Sequence, residues 1–350
     1  MARAPAKSSL KDDESAALAV AEQAHFLPLL PWQRTAWHRL TSRKPNLPHG
    51  VLLTGAAGTG KRRFADHVAG WLLCDTPSVD GACGTCASCA WLKAGSHPSL
   101  LRISREVDNK GKQSRQIKID QVRDLMPFVQ QTGQGWRVVI IEPAESLNIA
   151  AANALLKTLE EPAAQVMLLL VSDQPLQLPA TIRSRVQQIA LGRIETDRAI
   201  EFVRDEAAVS ADQAALLLGL SFGAPLAAVE LAATEGFKLR GQWLVTWLAI
   251  LTARRSALDA AAYWQKQLPL LDWLGVVRQL LRDVIALHLG QRAIQSDLDV
   301  GQLNQLQHLM PLERLFALDQ VLVGLIAGQS QNVNNQLVME SFMAQLAKAG

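Results

Sequence analysis

"HGVLLTGAAGTGKRRFADHVAGWLLC", residues His49 to Cys74, changes character twice. The opening "HGVLLTG" (His49–Gly55) reads as a short buried strand running into a glycine loop, and "KRRFADHVAGWLL" has helical spacing, with Phe64, Val68, Trp71 and Leu72 on one face. Between them Gly55, Gly60 and Lys61 fit G-x-x-x-x-G-K, with Gly58 inside the turn. In such a loop backbone amides and the helix N-terminus hold phosphate oxygens, and the lysine neutralises the outer phosphates. The next residue ordinarily supplies a hydroxyl to Mg²⁺. Here it is Arg62, a cation with no acceptor, so the magnesium geometry is lost even where phosphate binding survives. A plain glycine turn is the alternative. The strand before and the helix after favour the phosphate loop, and occupancy by nucleotide stays open.

Working outward, "GWRVVIIEP" (Gly135–Pro143) and "QVMLLLVSD" (Gln165–Asp173) read as two further buried strands. Between them "SLNIAAANALLKTLEEP" is an Ala/Leu-rich helix capped by Asn148 and stopped at Pro162. Strands alternating with helices predict a parallel sheet covered on both faces, ending near Gly192. In "VVIIEPAE", Glu142 stands where the first carboxylate of an acidic pair belongs, and Pro143 occupies the second place with no side-chain chemistry.

Cys74, Cys83, Cys86 and Cys89 fall within sixteen residues and no other cysteine occurs. The spacing C-x8-C-x2-C-x2-C suits four thiolates on one Zn²⁺, a closed structural site, rather than disulfides. A reactive or merely buried thiol cluster is the alternative, and His97 reads as a surface histidine beside the cluster.

Beyond Gly192 no convincing strand follows. "ETDRAIEFVRDEAAVSADQAALLLGLSFGAPLAAVELA" reads as short helices with a turn at Gly223–Pro225, and "LLDWLGVVRQLLRDVIALHL" aligns Leu270, Trp273, Leu274, Val277, Leu281, Val284 and His288 along one stripe. With 350 residues, 49% hydrophobic and 19% charged, the chain predicts two or three domains with a substantial core. The expected division is an N-terminal extension (1–24), an α/β domain (25–192) with a cysteine knuckle at 74–89, a small helical domain (193–238) and a larger helical domain (239–350). Apolar runs are too short to span a bilayer, the N-terminus lacks a secretory core, and the cytoplasm is the default compartment. A net charge of +3 excludes little.

"GAAGTGK", the cysteine knuckle, "SHPSLLRI", "IKIDQVRDL", "RVVIIEPAESLNIAAANALLKTLEEP" and "LPATIRSRV" together resemble bacterial DNA polymerase III clamp-loader subunits of the AAA+ superfamily. The resemblance is strong from about Leu27 to Gly192 and covers the rest by domain plan. Within the family it is closest to the delta-prime branch, since gamma/tau subunits keep the loop Thr and the acidic pair. The resemblance implies an AAA+ P-loop domain, a helical lid and an all-α collar. It also implies a largely non-hydrolysing subunit that lends an arginine to a neighbour's ATP site. Ser184 and Arg185 match the first two positions of the family's Ser-Arg-Cys motif, with Val186 in the third, so Arg185 is the implied finger and nearby Arg183 the other candidate. "SFGAPLAA" resembles the sensor-2 region without its arginine. The implied partners are the gamma/tau and delta subunits, the sliding clamp and primed DNA, with no membrane. The chain alone is expected to be non-catalytic, though part of a DNA-directed DNA polymerase, a nucleotidyltransferase. Two alternatives are an active gamma/tau-like P-loop motor, which needs a hydroxyl at 62 and an acid at 143, and a zinc-dependent DNA-binding protein, which the near-neutral charge disfavours.

Overall fold

The computed structural model describes residues 24–108, 113–131, 135–328 and 334–348. The expected N-terminal extension therefore lies, but for Ala24, outside the described residues. The chain divides into two compact units, with the boundary between Arg198 and Ala199.

The first unit runs α1 (Arg34–Thr41), β1 (Gly50–Thr54), α2 (Lys61–Leu73), α3 (Ala87–Lys93), β2 (Leu100–Ile103), α4 (Ile119–Gln130), β3 (Arg137–Ile141), α5 (Ile149–Glu160), β4 (Val166–Ser172), α6 (Ala180–Arg183) and β5 (Gln187–Ala190). All five strands are parallel, in the order β2-β3-β4-β1-β5. The three central strands are the ones the sequence predicts. Their side chains alternate between two cores: Leu52, Val139, Ile141, Leu168 and Leu170 meet α4 and α5, whereas Val51, Leu53, Val138, Ile140 and Leu169 meet α1 and α2. Covering on both faces makes the strands continuous apolar runs. The edge strands β2 and β5 are additions to the sequence reading. Each is four residues long and only partly buried, so polar residues such as Arg102, Gln187 and Gln188 interrupt their pattern.

Helix α5 begins as expected. Asn148 Oδ1 accepts the Ala151 amide at 2.7 Å, and Glu160 ends the helix before Pro162. Helix α2 is more buried than a one-face helix, with Lys61 and all of Phe64 to Leu73 inside. Its outer side is covered by the N-terminal segment and the cysteine insertion: a Cβ on Gly70 would sit 3.0 Å from the His25 carbonyl oxygen and 3.5 Å from Ala82 Cβ.

Along the rest of the chain lie α7 (Thr196–Ala207), within which the boundary falls, α8 (Ala211–Leu220), α9 (Pro225–Ala233), α10 (Glu235–Leu251), α11 (Ala257–Gln267), α12 (Leu270–His288), α13 (Val300–Leu309), α14 (Leu312–Gly328) and α15 (Asn335–Ala347). Among the described residues this unit contains no strand, as the sequence predicts. The stripe on α12 is core from Leu270 to Val284, and His288 at its end bonds the Met310 carbonyl at 2.8 Å. At the centre Trp243 meets Trp264 and Trp273 edge-on, with centroids 5.5 and 5.3 Å apart, and Trp273 meets Phe342 at 5.7 Å. No single described helix is long and apolar enough to cross a membrane.

Trp243 joins four helices through this cluster, and its indole N–H has no partner within it. Trp243→Ala is expected to destabilise the helical unit by about 3–5 kcal/mol, by cavity formation. Trp243→Phe retains the edge-on ring and should cost less. Denaturant unfolding monitored by circular dichroism reads both, and equal losses would contradict the assignment.

Candidate functional site

The loop after β1 is built by its glycines. Gly58 and Gly60 have φ of +79° and +83°, which only glycine adopts at little cost, and Gly60 opens directly into α2. At Gly55 a Cβ would lie 2.9 Å from Thr59 Oγ1 and 3.2 Å from the Gly192 nitrogen. Two side chains from the segment before α1 brace the loop: Trp32 Nε1 donates to the Thr59 carbonyl at 3.0 Å, and Gln33 Nε2 to the Gly60 carbonyl at 2.8 Å.

Lys61 is 4% exposed, and its ammonium is fully engaged. Nζ donates to the carbonyls of Gly55 at 2.8 Å and Ala56 at 2.7 Å, and pairs with Asp173 Oδ1 at 2.5 Å. Three partners match the three protons of the ammonium. Sheet register explains Asp173: Thr54 of β1 lies opposite Ser172 of β4, so the residues that follow each strand emerge side by side. Arg62, mostly exposed, turns the other way and pairs through Nε with Glu142 Oε2 at 2.9 Å. The side chains at positions 62 and 142 thus hold each other. Burial pushes the Glu142 carboxyl above its ordinary range, and the Arg62 guanidinium is the largest opposing influence.

The four cysteines converge. Cys74 follows α2, Cys86 caps α3 and Cys89 lies in its first turn. Sγ atoms are 3.8 Å apart for Cys74–Cys86, 3.9 Å for Cys83–Cys89 and 3.7 Å for Cys74–Cys89, and all four lie within 4.8 Å of one another. Thiolates about 2.3 Å from a tetrahedral metal would be about 3.8 Å apart, so the donor set fits such an ion. Backbone amides already point at sulfur: Cys83 N to Cys74 Sγ at 3.2 Å, and Thr85 N and Cys86 N to Cys83 Sγ at 3.4 Å each. Hydrogen bonds, led by Thr76 and followed by Thr85, bring the Cys83 thiol down to about 5, while burial pushes the Cys74 and Cys89 thiols up.

His97 stands outside the thiol cluster and is half-buried and hydrogen-bonded. Its Nδ1 accepts the Ser99 amide at 3.1 Å, which places the proton on Nε2, and that proton faces Ser88 Oγ at 2.8 Å. Ser88 in turn donates to the Leu73 carbonyl, so the histidine ties α3 to the end of α2 instead of joining the ligands.

At the end of α6, Arg183 folds back, with Nε donating to the Leu178 carbonyl at 3.2 Å. Arg185 is 37% exposed, held by the Thr181 carbonyl at 3.0 Å and by Glu160 at 2.7 Å. Val186 packs into the core beside Ile182. The sequence names the loop, the thiols and Arg185 as candidates but gives no sign of Asp173 beyond its place directly after a strand.

A family model described as "DNA polymerase III, delta subunit" matches residues 32–195. The delta-prime subunit of DNA polymerase III from Pseudomonas aeruginosa is 41% identical over 269 residues, covering 73% of this chain and 79% of that protein. The tau subunit from Bacillus subtilis is 34% identical over 154 residues, covering 43% of this chain and 26% of that one. A crystal structure of a DNA polymerase III gamma subunit-related protein from Thermotoga maritima aligns with 91% of this chain and 99% of its own, at 17% identity and a TM-score of 0.48.

Arg62→Ala removes the main influence holding the Glu142 proton down, so that carboxyl is expected to titrate at still higher pH in carbon-13 NMR. An acid raised on folding contributes stability that is complete below its unfolded value of 4.5 and lost as pH rises through the folded value. The variant should therefore lose more stability than the parent between acid and neutral pH. An unchanged or lower Glu142 pKa would refute the pairing.

Proposed function

The chain belongs to the delta-prime subunits of DNA polymerase III, and we propose that in the clamp loader it is the non-hydrolysing, stator-like member, one that lends Arg185 to a neighbouring ATPase subunit. The observation that carries this reading is the charge closure of the phosphate loop. Lys61 is bound by its own loop and by Asp173, and Arg62 occupies Glu142. A loop with Arg62 in place of the magnesium hydroxyl, Glu142 already paired and Pro143 in place of a base has the shape of a triphosphate site without the parts that cleave.

The motor reading needs a hydroxyl and an acid at two positions that hold Arg62 and Pro143. Arg185 supports the trans role because it is exposed and bound only through a partly exposed carboxylate and local backbone and hydroxyl oxygens, whereas Arg183 is committed to a carbonyl. A guanidinium so placed can change partners cheaply, because exposed ion pairs are worth little. In this reading residues 193–238 act as the lid and 239–350 as the collar of the loader ring. Gamma/tau and delta subunits are the neighbours, the sliding clamp and primed DNA the objects handled, and the cytoplasm the setting. Zinc is the metal for Cys74, Cys83, Cys86 and Cys89; it would hold the insertion against α2 and do no chemistry.

Two experiments test this. In a loader reconstituted with gamma/tau and delta subunits, clamp and primed DNA, Arg185→Ala should leave assembly intact. It should cut hydrolysis at the adjoining site by about 10³–10⁵, the range for arginine fingers. Unchanged turnover, or rapid magnesium-dependent hydrolysis by this chain alone, would end the proposal. For the metal, elemental analysis should give one zinc per chain, and Cys86→Ser or a strong chelator should remove it and lower the melting temperature. Zinc-free protein with unaltered melting would exclude the site.

A further inference from the structure

From Ala24 to Ala65 the sequence holds seven lysines and arginines and no aspartate or glutamate. Three of the cations, Lys61, Arg62 and Arg63, belong to the loop and the start of α2, where Arg63 donates to the Pro28 carbonyl. The other four lie on α1 and the turn after it. Helix α1 buries Trp37 and Leu40, with Gln33 just before them, against the sheet and α2. Trp37 is locked edge-on to Trp71 at 5.2 Å and to Phe64 at 6.4 Å. The opposite face exposes Arg34, Thr35, His38 and Arg39, continued by Ser42, Arg43 and Lys44.

These cations are uncommitted to acids. Among the described residues no carboxylate pairs with Arg34, Arg39, Arg43 or Lys44. Arg43 donates to Gln187 Oε1 at 3.1 Å, and the Lys44 ammonium lies 5.3 Å from the centre of a Trp71 ring. One acid, Asp80, is near: it adjoins Val79, whose carbonyl accepts Trp37 Nε1 at 2.9 Å. The stretch from Ala24 to Ala65 carries seven positive charges and no negative one in a chain whose total is only +3.

We propose that the exposed face of α1, through Arg34, Arg39 and Arg43, docks the phosphate backbone of nucleic acid. Arg34 and Arg39 are separated by about 7.5 Å of helix rise, close to the axial length of two phosphate steps, about 6.8 Å, on one strand. Thr35, Ser42 and His38 interleave hydrogen-bonding groups among the guanidiniums, the usual composition of backbone contacts that position without reading sequence. The helix presents these groups from a rigid, aromatic-anchored base, so little ordering is needed on binding. An acidic protein segment would also be attracted. Membership of a DNA polymerase assembly, and the interleaved hydroxyls, favour the polyphosphate. The inference rests on that membership and not on the role given to Arg185 or the phosphate loop.

The test uses the purified full chain and fluorescence anisotropy across a sodium chloride series. The probes are a labelled single-stranded oligonucleotide, its duplex, and a poly-glutamate peptide of similar charge. Wild type should bind both nucleic acids at low salt and the peptide more weakly. In the Arg34→Ala/Arg39→Ala/Arg43→Ala variant, checked for fold by circular dichroism, the salt dependence should flatten. The log–log slope should lose about 2.7 on duplex and about 2.1 on single strand, from about 0.9 and 0.7 per contact. Arg123→Ala, which removes an exposed arginine already paired with Asp120 at 3.4 Å, should change neither slope. No binding by wild type at low salt, an unchanged slope in the triple variant, an equal loss in Arg123→Ala, or peptide binding as tight as oligonucleotide would each overturn the proposal.

Discussion

A buried ammonium must be surrounded by oxygen, and Lys61 is surrounded by oxygens of its own chain. Taking such a charge out of water costs several kcal/mol, and the cost is met only when every proton is satisfied. Gly55, Ala56 and Asp173 do this at 2.5–2.8 Å. Any phosphate that enters the loop must compete with a carboxylate already in place. Loop, helix start and the C-terminal ends of two central strands are therefore one electrostatic unit, and its integrity depends on β1 lying beside β4 in a single register.

The supports behind that unit are covalently distant and physically close. Helix α2 carries Lys61 at one end and Cys74 just past the other. The thiol cluster sets where that far end lies, and Ser88 with His97 ties the following helix to the Leu73 carbonyl. At the near end Trp32 and Gln33 hold the loop carbonyls, while His25 Nδ1 meets the Asp66 carbonyl at 2.9 Å halfway along. Close packing of this kind explains why Gly70 and Gly81 have no room for side chains, since a Cβ on Gly81 would stand 2.8 Å from the His67 ring. A metal at the cysteines would thus act on the phosphate loop only through a rigid helix.

Much of this was legible beforehand, for reasons that differ by element. The three central strands announce themselves because burial on both faces removes polar residues from them. The edge strands do not, because half of each faces outward. Asn148 marks the start of α5 because a cap acts through neighbours three residues away. The thiol cluster is legible because short spacing and metal chemistry are both local. The bonds of His97 to Ser88 and Ser99 are not legible in the sequence, because the contact with Ser88 exists only once α3 has turned back on α2. The choice between Arg183 and Arg185 as the accessible arginine likewise needs the fold, which turns one onto a carbonyl and leaves the other at the surface.

By itself the sequence determined the α/β class, the glycine loop with Arg62 in place of a hydroxyl, the clustered cysteines and an all-helical remainder, since each follows from residue type and spacing within one segment. Only the tertiary structure decided that Asp173 neutralises Lys61 and that Arg62 and Glu142 close on each other. Those facts are pairings between strand ends and helix faces far apart in the chain, and a linear pattern carries no information about which ends the sheet order will bring together.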